Sequence, residues 1–155
     1  MHEDLIPSIL NALQESRLDP EFLKLEITES AAMLHADQVL RKLNTLKELK
    51  IKLALDDFGT GYSSLHYLKK LPVDILKIDR SFISDIDYDE DEFTIVKALI
   101  EVAHRLGMTV IAEGVETEQQ KEKLRTMNCD HIQGYVFSKP LPSEEVERLI
   151  APVYT

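Results

Sequence analysis

The sequence predicts an α/β fold in which parallel strands are covered by helices. Three observations carry that prediction. Short apolar runs of strand character alternate with longer amphipathic helical patterns about five times along the chain, at the ~25 to 35 residues of a strand-helix-strand unit. No linker-like or low-complexity stretch interrupts the alternation, so one domain or a piece of one is expected. Finally, charged and amide side chains gather where the apolar runs end.

Between Asp4 and Leu18, Leu5, Ile6, Ile9, Leu10 and Leu13 recur at helical spacing, with Pro7 tolerated in the first turn. After Asp19-Pro20, the segment Phe22 to Thr28 alternates through Leu23, Leu25 and Ile27 and reads as a strand whose end carries Glu26 and Glu29. Ala36 to Lys50 is a second helix, with Val39, Leu40, Leu43, Leu46 and Leu49 on its inner face. The strand Ile51 to Leu55 follows, ends in Asp56 and Asp57, and enters a loop containing Gly59 and Gly61. Adjacent side chains of an extended strand point to opposite sides, so both acids can serve one site only where the strand bends. The glycines are expected to supply that bend. Taken alone, the Asp pair reads equally well as a turn cap.

Tyr62 to Lys70 reads as a short helix stopped before Leu71-Pro72, and Val73 to Ile78 as a strand with Lys77 and Asp79 at its end. The acidic run Asp85 to Glu92 reads as a solvated loop feeding the negative first turn of a helix that ends near Arg105, with Gly107 as its left-handed cap. Met108 to Ala112 is a nearly all-apolar strand ending in Glu113-Gly114-Val115-Glu116, and Thr117 caps a polar helix that reaches Met127. A short strand, Cys129 to Gln133, a loop from Gly134 to Pro142 and a helix from Ser143, taken as its cap, to Ile150 complete the pattern.

Two architectures satisfy this order, an open doubly wound sheet and a β/α barrel. Glu26, Asp56 with Asp57, Lys77, Glu113 and Gln133 each stand at the end of a different strand, as at the top of a barrel. A doubly wound sheet would concentrate them at one switch point, and no glycine-rich phosphate fingerprint is present. A complete eight-stranded barrel takes ~250 residues, so 155 residues leave room for about five units.

With 44% hydrophobic residues the chain can bury a core. A net charge of -10 and a pI near 4.9 argue against binding to nucleic acid polymers or anionic lipid. The single Cys129 allows no intrachain disulfide, which points to a reducing cytosol, and no apolar run approaches the ~20 residues of a membrane span. Four or more carboxylates brought to one site repel one another unless cations offset them. Oxygen donors without a matched Cys or His set favour Mg²⁺ or Mn²⁺, and paired ions suit the hydrolysis of phosphate esters.

The segments Leu25-Glu26-Ile27-Thr28-Glu29-Ser30, Ala54 to Leu65 (Ala-Leu-Asp-Asp-Phe-Gly-Thr-Gly-Tyr-Ser-Ser-Leu), Leu76-Lys77-Ile78-Asp79, Ala112 to Thr117 (Ala-Glu-Gly-Val-Glu-Thr) and Gln133-Gly134-Tyr135 resemble, in order and spacing, successive motifs of the EAL family. The resemblance covers essentially the whole chain. It implies a partial TIM-type barrel, about the last five β/α units, with residues 1–155 forming the C-terminal portion of a single EAL domain in the bacterial cytoplasm. It also implies hydrolysis of cyclic di-GMP to pGpG with two Mg²⁺ or Mn²⁺ ions, and inhibition by Ca²⁺. By the same resemblance Glu26, Asp56 and Asp57 hold metal, and Glu116 supports the second ion through water. Lys77 holds the attacking water, Glu113 is general base or metal-site carboxylate, and Gln133 orders the site. Glu29 supports the loop of Phe58, Gly59, Thr60 and Gly61, while Asp79 buttresses Lys77.

The sequence departs from the family pattern at its front. The Glu-Ala-Leu motif, the arginine after it and an early asparagine ligand are missing: Glu101-Val102-Ala103 falls within a helix, and Asn11 lies on the first helix. Weak or no turnover is therefore expected of this chain alone. A sheet cut from a barrel also has two open edges, to be covered by a second copy or by a missing N-terminal segment. The alternative function is a non-catalytic module that binds cyclic di-GMP or another protein.

Overall fold

The computed structural model describes residues 4–34, 36–59 and 65–150. Among the described residues five strands, β1 (Lys24–Thr28), β2 (Lys52–Phe58), β3 (Ile75–Ile78), β4 (Thr109–Glu113) and β5 (His131–Gln133), form one parallel sheet in the order β1-β2-β3-β4-β5. The spatial order never reverses, so the sheet has no switch point. With right-handed crossovers, every connecting helix falls on the same face. The sheet is an arc of a β/α barrel, and the doubly wound alternative is excluded.

Register sorts the side chains into two faces. In paired parallel strands, aligned residues share a face and neighbours along a strand alternate. Leu25, Ile27, Leu53, Leu55, Leu76, Ile78, Val110, Ala112 and Ile132 therefore fall on one side, which is wholly apolar and packs on the helices. The opposite, concave side receives Glu26, Asp56, Lys77, Glu113 and Gln133. Period-two alternation in five separate segments thus delivers five polar groups to one surface.

Asp57 breaks the alternation. The pairing of β2 with β3 shifts between Leu55↔Leu76 and Phe58↔Ile78, so β2 carries one extra residue, a bulge. Asp57 takes φ 54°, the left-handed region in which Asp is tolerated better than most residues. The bulge lets Asp57 join Asp56, and Phe58 returns to the helix side, 4% exposed. The bend thus lies inside the strand at Asp57, before the glycines expected to supply it, because β2 continues through both acids to Phe58. Gly59 still needs its glycine: at φ 102° a Cβ would stand 2.2 Å from the Phe82 ring.

The helices are α1 (Leu5–Ser16), α2 (Glu29–Met33), α3 (Ala36–Glu48), α4 (Leu65–Leu68), α5 (Arg80–Ile83), α6 (Glu90–Arg105), α7 (Glu118–Thr126) and α8 (Ser143–Ile150). Several differ from the sequence reading. Pro20–Phe22 is a 3-10 turn capped by Asp19, which leaves Phe22 74% exposed and starts β1 at Lys24. Alternation alone cannot separate such a turn from the head of a strand. Leu10, expected inside, is 43% exposed. The short α2 and α5 were not foreseen: each begins on a strand-end cap, Thr28 accepting from Ala31 N–H and Asp79 from Ser81 N–H. Ser143 opens α8, and the Pro142 carbonyl before it accepts from Glu145 and Val146. Of the helix expected over Tyr62 to Lys70, Leu65–Leu68 is present, and Tyr62 lies outside the described residues, as do Thr60 and Gly61. Gly107 caps α6 at φ 79°, as read from the sequence.

Candidate metal centre

Lys77 stands at the middle of the concave top. Its side chain is 7% exposed, and Nζ lies 2.8 Å from Glu26 Oε2 on β1, Asp56 Oδ1 on β2 and Glu113 Oε1 on β4. Burial alone disfavours the charged amine, but Asp56, Glu113 and Glu26 outweigh it and hold the ammonium well above the ordinary lysine range. Lys77 is therefore a fixed cation and a donor, and not a base, at neutral pH.

Asp56, Asp57 and Glu113 each present an oxygen within 4.8 Å of the others. Asp56 Oδ1 is sealed from solvent and, among the described residues, lacks an aligned hydrogen bond, so the charge of Lys77 is what it meets. A hard divalent ion fits such a set: the donors are all carboxylate oxygens, at a spacing one cation can span, and their charge exceeds that of Lys77.

Around this cluster the other expected residues take definite places. Glu29, 1% exposed at the start of α2, accepts from the Gly59 N–H at 2.8 Å and so ties β1's end to β2's end. Gln133 lies across from Glu113 in register, and its carbonyl accepts from Val115 N–H. Glu116 is not in the carboxylate cluster: it faces Arg80, 3.6 Å away. Asp79 does not approach Lys77 within ion-pair distance, for its carboxylate is spent on capping α5 through Ser81, with Arg80 nearby, and is held below the usual range. It stands just beyond β3, two residues after Lys77.

Two lining residues were given no role by the sequence reading. Arg80 and Tyr135 line a cleft of about 190 Å³ with Gly114, Glu116, Gln133 and Gly134. Gly114 makes room for the arginine, since a Cβ there would meet Arg80 Cγ at 2.6 Å. Asking which cations follow strand ends would have found Arg80, three residues after Lys77. Tyr135, an aromatic just beyond a strand, lies in the Gln133-Gly134-Tyr135 motif.

Residues 1–140 match the profile of the family described as EAL domain. The chain belongs to the EAL family. Among relatives, it is 47% identical over 146 residues to the cyclic di-GMP phosphodiesterase NbdA of Pseudomonas aeruginosa, covering 94% of this chain and 19% of that protein. The chain thus spans about a fifth of the length of the curated relatives it matches. Among solved EAL structures, the PaMucR phosphodiesterase in complex with c-di-GMP superposes with a TM-score of 0.89 at 45% identity, over 94% of this chain and 59% of that one. Klebsiella pneumoniae BlrP1, solved with manganese and c-di-GMP, gives 0.84 at 34% identity, over 90% and 36%. BlrP1 was also solved with calcium in place of manganese.

Proposed function

We propose that residues 1–155 are the C-terminal portion of a single EAL domain, acting in the bacterial cytoplasm, and that the concave site takes part in hydrolysis of cyclic di-GMP to pGpG. The observation that carries this reading is the convergence of Glu26, Asp56 and Glu113 from three strands on the ammonium of Lys77, with Asp57 beside Asp56 and Glu113. Glu26, Asp56, Asp57 and Glu113 would hold two Mg²⁺ or Mn²⁺ ions, with Glu116 reaching the second through water. Bound there, such ions acidify water and offset phosphate charge. Lys77, held protonated, orients the attacking water and meets charge developing on the phosphate. Glu113 accepts the water's proton or serves as a ligand, Gln133 orders the strand-end groups, and Glu29 keeps Gly59 and its loop in place.

One observation favours a second reading, a non-catalytic module that binds cyclic di-GMP. β1 is an edge strand and the Glu26 side chain on it is 43% exposed, so one wall of the cluster is open. An apolar groove lined by Ile9, Leu13, Leu18, Leu23 and Leu25 runs along the same edge. A second copy or further polypeptide covering it would bury both, and sedimentation measures that association.

The deciding experiment combines calorimetry of Mn²⁺ and cyclic di-GMP with detection of pGpG. Mn²⁺ binding that Asp56→Asn weakens at least tenfold, with slow or undetectable turnover by the chain alone, is expected. Ca²⁺-supported binding of cyclic di-GMP without any product in Mn²⁺, even after association, would favour the binding module. No Mn²⁺ binding at all would refute the metal centre.

A further inference from the structure

Gln120 is buried, 5% exposed, and lies outside the carboxylate cluster. Its Oε1 accepts from the N–H groups of Glu116 (2.8 Å) and Thr117 (3.1 Å). Its Nε2 donates to the carbonyls of Ile83 (3.1 Å) and Ser84 (3.4 Å). The first pair belongs to the loop that follows Glu113, and the second to the end of α5, which follows Lys77 and carries Arg80. One amide therefore spans the chain ends of two adjacent strands. Thr117, the N-cap of α7, and Lys123, three residues after Gln120 on the same face of the helix, add flanking bonds. Thr117 Oγ1 donates to Asp87 Oδ2 at 3.1 Å, and Lys123 Nζ to the carbonyls of Ile86 (2.8 Å) and Asp87 (3.1 Å).

The opposite side of the Glu113 loop is held as firmly. Val115 N–H donates to the Gln133 carbonyl, Val136 N–H to the Val115 carbonyl, and Gly134 packs so close that a Cβ would lie 2.1 Å from Val115 O. The segment Gly114 to Thr117 is thus clamped between β5 and α7. Half of the clamp is Gln120.

We infer that Gln120 is a positioning residue for the metal centre, setting the loop of Glu113 and Glu116 against the Lys77 and Arg80 end of β3. This rests on the reading of the carboxylate cluster as a divalent-cation site. A helix cap alone would need only the Oε1 acceptor, and the donated bonds to Ile83 and Ser84 are the part that capping does not require.

The substitution Gln120→Glu separates the two roles. A glutamate keeps the capping-box acceptor and deletes the donor to Ile83 and Ser84. With the thermal midpoint within a few degrees of the unmodified chain, Mn²⁺ affinity measured by electron paramagnetic resonance is expected to fall about tenfold, the usual loss when a support behind a ligand is removed. Amide exchange at Ser84 and Ile86 is expected to quicken, and that within α7 to stay unchanged. Equal Mn²⁺ affinity in the two proteins overturns the role of Gln120. An unmodified chain that binds no Mn²⁺ refutes the metal centre itself. Should Gln120→Glu fail to fold, the unmodified chain decides: the side-chain amide resonances of Gln120 must shift on Mg²⁺ titration with the midpoint of the Glu116 backbone resonance, and unmoved resonances overturn the inference.

Discussion

The two ends of the sheet use the same residue types to opposite effect. At the bottom, Asp74 stands just before β3 and Asp130 just before β5. Asp74 accepts from the Leu53 N–H of the preceding strand and pairs with Lys47 in the last turn of α3. Asp130 accepts from the Val110 N–H of the preceding strand and pairs with His104 in the last turn of α6. Each acid has one backbone donor and one base, and is satisfied. At the top, Glu26, Asp56 and Glu113 share Lys77, with Asp57 beside them. A matched acid stabilises the fold, whereas three acids that share one lysine hold charge ready for a cation and cost stability in its absence.

The largest break in this contrast should come from Lys77→Met. Removing the shared, buried cation leaves Glu26, Asp56 and Glu113 facing one another without it and is expected to cost about 3 kcal/mol in urea unfolding without divalent ions. Mn²⁺ should restore part of that loss. An unchanged midpoint would mean that the acids at the top are as well satisfied as those below. Asp74→Ala comes next, at about 2 kcal/mol, because it leaves the Leu53 N–H without its acceptor. Mn²⁺ binding should be untouched by it.

The pH dependence should divide the two ends. Burial opposes ionisation of Asp74 and Asp130, but the Lys47 ammonium and Leu53 N–H in one case, and the Val110 N–H and His104 in the other, hold both carboxyls below their ordinary value. Their contribution is complete above the unfolded value near pH ~3.9 and is lost as pH falls through the lower folded values. Lys77 is shifted upward, so its contribution is complete below pH ~10.4 and lost as pH rises through its folded value. Unfolding measured across pH should show an acid limb that Asp74→Asn flattens and an alkaline limb that Lys77→Met flattens. The smallest effect is expected from His104→Ala, about 0.5 kcal/mol or less, because that pair is over a third exposed.

Much of the site was legible because period-two alternation is a local property. Glu26, Lys77, Glu113 and Gln133 could be placed at strand ends from their own segments, and the regular parallel register then carried them to one face. The bond of Glu29 to Gly59 had no local signal, since nothing nearby in sequence reveals a partner 30 residues away. The bond that Asp79 makes is, by contrast, a local one. Its carboxylate accepts from the Ser81 N–H two residues on. The clamp by Gln120 went unread although Thr117 was recognised as a cap, because its other bonds reach back 36 and 37 residues.

By itself, then, the sequence determined the strand-helix alternation, the apolar side of each strand and the acids and lysine at the strand ends, all of which depend on neighbours within a turn or two. Tertiary structure alone decided that the strands run in unbroken spatial order, that a bulge at Asp57 turns two adjacent acids to the same side, and that Lys77 serves three strands at once. Those outcomes depend on pairing register and on which buried charge reaches which partner, and distances through space have no signature in the order of residues along the chain.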